Sequence, residues 1–136
     1  MSAYHAYQTE YNDRECLVQA LEVQGYKPQV FDIPTHLTGY HGDKRKELAE
    51  VIIPRSQITL MSNDIGFAKN ANGSYSAIVS EYDKGTTKGK AIMNDLKKIY
   101  AEKKAMKCAR QGGLRFVKRC EIATATGTKV QLVFNK

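Results

Sequence analysis

Asn70-Ala71-Asn72-Gly73 stands between two short segments, Asp64 to Lys69 and Ser74 to Tyr82, and it constrains the fold more than any other stretch of the chain. Asn and Gly tolerate positive φ, so a strand that enters this tetrapeptide turns back on itself as an antiparallel hairpin. In the second arm Tyr75, Ala77 and Val79 alternate with Ser76, Ile78 and Ser80, the period of two that sends successive side chains to opposite faces of a sheet. The sequon Asn72-Gly73-Ser74 is read as part of this turn and not as a glycan acceptor.

Other segments extend the pattern. Tyr4 to Tyr11 alternates aromatic and polar residues, with His5, Tyr7, Thr9 and Tyr11 on one face of a first strand. Asn12 or Asp13 caps a helix from Arg14 to Gln24, Glu15 completes a capping-box spacing from Asn12, and Gly25 and Pro28 end it. Val30 to Ile33 is a short strand stopped by Pro34, and Thr35 to Lys46 a loop or irregular strand. Leu48 to Arg55 is a third strand at or near a sheet edge, because Pro54 lacks the N–H a ladder needs. Ile92, Met93, Leu96, Ile99, Tyr100 and Met106 recur at spacings of three and four, which predicts a helix over Gly89 to Gln111 with a cationic outer side, ended by Gly112-Gly113. Phe116 to Thr124 and Lys129 to Asn135 form a second hairpin about Thr126-Gly127, with Val130, Leu132 and Phe134 matched across the strands by Phe116, Cys120 and Ile122. The order β-α-β-β-β-β-α-β-β implies the α+β class: an antiparallel sheet with both helices packed on one face, in a single domain over residues 1–136.

A chain of 136 residues, 42% hydrophobic and 26% charged, has enough length to bury a core without a metal or disulfide staple. Cys16, Cys108 and Cys120 are an odd number with no C-x-x-C pair, a pattern that fits neither a disulfide framework nor a zinc ribbon. No apolar run approaches the roughly 20 residues of a membrane helix, and Met1-Ser2-Ala3-Tyr4-His5 lacks the basic and apolar regions of a secretory signal. The expectation is a cytoplasmic protein with no membrane span. Its net charge of +7 is unevenly placed: residues 1–83 carry 7 basic and 11 acidic side chains, a net of −4, and residues 84–136 carry 14 and 3, a net of +11. An excess of that size draws polyanions.

Motifs for catalysis are weak. Gly85-Thr86-Thr87-Lys88-Gly89-Lys90 is one residue short of a phosphate-binding loop, and Ala91 stands where a magnesium-binding hydroxyl belongs. His36 and His41 lie five apart near Asp32 and Asp43, a spacing that favours surface histidines over metal ligands. Cys16 near a helix start has no visible base to activate it. Glu81 and Asp83 fall on one face of the second hairpin arm with Asp64 across from them, a polar cluster of the type that general acid–base chemistry uses. Tyr82 and Tyr100 lie near the basic half, yet no aromatic stacking motif or helix-turn-helix spacing accompanies them.

Leu37-Thr38-Gly39-Tyr40-His41-Gly42-Asp43, Asn63-Asp64-Ile65-Gly66-Phe67 and the run from Gly73 to Asp83, with Asp13 to Leu21 and Gly25-Tyr26 before them, resemble a domain-of-unknown-function family. That family is typified by the hypothetical chloroplast open reading frame thirty-five, with cyanobacterial, other bacterial and phage relatives. The resemblance covers most of the chain and implies a small accessory protein with no established catalytic residues; the Lys-heavy segment after Asp83 departs from it. The leading expectation is a non-enzymatic binding or adaptor protein, without cofactor or metal. It presents Lys97, Lys98, Lys103, Lys104, Lys107 and Arg110 on its C-terminal helix to an acidic protein partner or assembly. The alternative is DNA or RNA binding by the same face, driven by counterion release. A third reading is a small enzyme with a polar site near Asp64, Glu81 and Asp83, beside the loop of His36 and His41. The sequence leaves the oligomeric state open.

Overall fold

A computed structural model describes residues 2–136. Along the chain lie β1 (Tyr4–Gln8), α1 (Arg14–Val23), β2 (Gln29–Thr38), β3 (Lys44–Ile53), a 3-10 turn (Arg55–Gln57), β4 (Ile65–Lys69) and β5 (Tyr75–Ser80). They are followed by α2 (Glu81–Gly85), α3 (Thr87–Gln111), β6 (Arg115–Thr124) and β7 (Gly127–Asn135). The class is α+β and the order is the expected one, with the short α2 added. β1 to β5 form an antiparallel sheet in the order β1-β5-β4-β3-β2, and β6 and β7 form a sheet of their own. The chain separates into two compact units, Met1–Tyr100 and Ala101–Lys136.

In the first unit both helices lie on one face of the five-stranded sheet. Leu17, Ala20 and Leu21 of α1 and Ile92, Leu96 and Tyr100 of α3 share a buried cluster with Val51, Ile53, Ile65, Phe67, Ala77 and Val79. Each large aliphatic or aromatic side chain buried there contributes about 1.5–3 kcal/mol. Local chemistry sets the helix ends. Asp13, and not Asn12, is the N-cap of α1 and accepts from Cys16 N at 3.1 Å, while Gly25 at φ 94° closes it with Tyr26 N donating to Leu21 O. Asn12 instead joins two helices. The Tyr100 hydroxyl accepts from the amides of Asn12 and Asp13 and donates to Asn12 Oδ1, which ties the start of α1 to α3.

The opposite face buries Leu37, Ala49, Ile52 and Ile78. Gly66 makes this possible, since a Cβ there would stand 2.8 Å from both Leu37 and Ala49. β2 runs on through Pro34 to Thr38, past the end the sequence predicts. It is an edge strand, and Pro34 falls inside a register shift between Val30 and Thr35, where a missing N–H costs no ladder bond. The expected turn at Asn70–Gly73 is present, with Asn70 N donating to Ser74 O and Gly73 at φ 88°.

In the second unit the end of α3 is a Schellman cap. Leu114 N donates to Ala109 O, Gly113 N to Arg110 O, and Gly113 takes φ 80°. The β6–β7 hairpin follows, but its faces differ from the expected pairing. A bulge at Val117 separates the pairs Phe116↔Phe134 and Lys118↔Val133, after which Arg119 opposes Leu132, Glu121 opposes Val130 and Ile122 opposes Lys129. One inserted residue flips every later side chain to the other face, so Cys120 and Ile122 do not match Val130 and Leu132.

Candidate functional site

The charge follows the division into units. Residues 1–100 hold twelve basic and twelve acidic side chains, and residues 101–136 hold nine and two, so the whole net charge of +7 sits in the last 36 residues. Both carboxylates of that unit are engaged by one arginine: Arg119 Nε donates to Glu102 at 2.6 Å and Nη1 to Glu121 at 2.8 Å. The six cations expected on the C-terminal helix all lie on α3, with Lys97 and Lys98 in the first unit and Lys103, Lys104, Lys107 and Arg110 in the second. Lys97, Lys98 and Arg110 are exposed, whereas Lys103, Lys104 and Lys107 are half-buried. The simple picture of an apolar inner and a cationic outer side therefore needs correction. Ile92, Leu96 and Tyr100 recur every four residues and Lys103 and Lys107 continue the same stripe, so the stripe changes from apolar to cationic where the first unit ends.

Helix periodicity missed the hairpin's share. Arg115, Lys118 and Lys129 are exposed on β6 and β7, and among them Phe116 is 44%, Val117 49% and Ile122 44% exposed. The signal was present as basic residues interleaved with apolar ones in a β-rich segment. The bulge at Val117 has no comparable sequence mark.

The second candidate, the polar cluster, is structural in its contacts. Ser80 caps α2, its Oγ accepting from Asp83 N and donating to Asp83 Oδ2 at 2.7 Å. Glu81 and Asp83 are thus on a helix begun by the Ser80 N-cap, and not on a strand. Asp83 is fully buried and also accepts from Asn63 N, while Asn63 Nδ2 donates to Ser80 Oγ and Asn63 Oδ1 accepts from Tyr40 N. Asp64 accepts from Arg55 N at 2.7 Å and Thr38 N at 2.8 Å. Burial raises its pKa above the ordinary carboxylate value, and those amide bonds oppose the shift. Burial also raises the Tyr4 phenol, with Asp64 adding to the effect. Glu81 is exposed, His36 Nδ1 hydrogen-bonds Arg45 O, and the His41 ring lies 4.4 Å from that of Tyr40. The network clamps four chain segments together, with Asp64 and Asp83 both close enough to Tyr4 to act on its phenol.

Among the described residues no group of three or more His, Cys, Asp or Glu is placed to hold a metal ion. No helix among them is long and apolar enough to cross a membrane. The family model described as a protein of unknown function, DUF1257, matches residues 19–130. No curated protein and no solved structure matches the chain.

Proposed function

We propose that this chain, which belongs to the DUF1257 family of proteins of unknown function, is a non-enzymatic binding protein whose second unit docks onto an acidic protein partner or assembly. The observation that carries the reading is the coincidence, in 36 residues, of the entire net charge of +7 with three exposed large apolar side chains, Phe116, Val117 and Ile122. Cations steer an acidic partner in and choose it over others, while apolar anchors supply the affinity. Val117 and Ile122 are aliphatic and offer no face on which bases stack, so beside Phe116 they favour a protein face over a nucleic acid. Rim ion pairs are screened beyond about 10 Å at 0.1 M salt, so association slows as salt rises.

DNA or RNA binding by the same unit is the second reading, favoured by one feature: a two-stranded basic β-ribbon has the width that a major groove admits. Affinity capture with the full chain, run with and without nuclease, separates the two. The first reading expects an acidic protein that stays bound after nuclease and weakens with Phe116→Ser and Val117→Ser. Loss of all captured material on nuclease treatment would replace it with the second.

A further inference from the structure

The first unit carries a groove that the docking reading does not use. It lies between the edge strand β1 and the first turns of α3, has a volume of about 370 Å³, and is lined by Ala77 and Val79 of β5, Tyr7 of β1 and Met93 of α3. Its floor is β5 and its wall is the start of α3, packed closely against the end of α2. Ala77 offers one methyl, and Gly89, also in the lining, has no room for a side chain, since a Cβ would stand 1.8 Å from Asp83 O.

Two cations complete the lining, Lys84 and Lys90, and no carboxylate does. Lys84 Nζ lies 5.1 Å from the centroid of the Tyr7 ring, so its charge is held at the apolar wall. A hydrogen bond to Tyr7 raises its pKa, and Glu81, the carboxylate that also acts on it, is not part of the lining. The larger cleft of the unit, about 460 Å³, is different in kind: Arg14 and Lys69 face Asp32 and Glu50 there, and Arg14 pairs with Asp32 at 3.6 Å. That cleft has balanced charge and already holds its own partners. The groove at β1 has unbalanced positive charge at an apolar surface, in the volume range of small-molecule sites.

We infer that the groove between β1 and α3 binds a small amphipathic anion, with its apolar body against the half-buried Tyr7 and Met93, above the buried Ala77 and Val79, and its carboxylate or sulfonate between Lys84 and Lys90. The test is a titration of the full chain with decanoate and, in parallel, decanol, read from amide chemical shifts. Decanoate should shift Tyr7, Ala77, Val79 and Gly89, and decanol should bind about tenfold more weakly, the share of one charge-assisted hydrogen bond. Lys84→Gln with Lys90→Gln should bring decanoate down to the level of decanol with the melting temperature unchanged. Asn94→Trp at the rim should block both ligands. Should the double variant fail to fold, Lys90→Gln alone, exposed on α3, should narrow the decanoate–decanol gap. Equal binding of the two ligands by the unaltered chain overturns the inference. So do shifts confined to the basic second unit, or no groove shifts at millimolar decanoate.

Discussion

The first unit balances twelve cations against twelve carboxylates and buries an apolar cluster on each face of its sheet; the second sets nine cations against two carboxylates and leaves most of its hairpin exposed. In the first, charges serve the fold. Asp64 and Asp83 are buried and accept from amides of other segments, Asp83 Oδ2 also from the Ser80 hydroxyl while Oδ1 has no partner among the described residues, and these bonds fix the arrangement of the loops that donate them. In the second, the ion pairs of Arg119 lie near the surface, where such pairs are worth at most about 1 kcal/mol. The remaining positive charge repels itself.

The largest expected effect separates the units by stability. Phe67→Ala, in the centre of the first core, should cost about 3–5 kcal/mol in denaturant unfolding, and Phe116→Ala, 44% exposed, should cost about 1 kcal/mol or less. Equal losses would erase the distinction. Next in size is Asp83→Ala, which strips the acceptor from Asn63 N and Ser80 Oγ and should cost about 2–3 kcal/mol in the same measurement. A loss below about 0.5 kcal/mol would mean that the carboxylate is not the clamp.

The smallest effect is a pH dependence. Because the folded pKa of Asp64 is raised, the folded state holds its proton to higher pH than the unfolded chain does. The stability this contributes is present below the unfolded pKa and is lost as pH rises through the folded one. Unfolding of the unaltered chain and of Asp64→Ala at pH 7 and pH 4 should therefore show the variant's deficit widening on acidification. A deficit that narrows would reverse the sign assigned to burial.

Much of this was legible beforehand where one residue type has one conformational meaning. Gly73, Gly25 and Gly113 sit at positive φ in the turn and caps expected of them, and the spacing of Ile92, Leu96 and Tyr100 located the face of α3 that the core buries. Legibility failed where two signals overlapped. Tyr75 to Tyr82 alternates like a strand throughout, which hid the Ser80 N-cap of α2. Pro34 stops a central strand but not an edge strand, and edge position is a tertiary fact. For the candidate docking surface, the charge asymmetry was plain in the sequence. Its boundary was not, because periodicity cannot show where along one helix the core ends and the same stripe becomes Lys103 and Lys107.

The most direct measurement places charge reversals in each unit in turn and compares what each variant retains of the captured acidic partner. One variant carries Glu at Arg110, Arg115, Lys118 and Lys129, and the other at Lys44, Lys46, Lys69 and Lys88, all exposed. Reversal in the second unit should weaken binding by at least about tenfold, and reversal in the first should change it by no more than about twofold. Equal weakening by both variants, or none by either, would contradict the assignment of docking to residues 101–136.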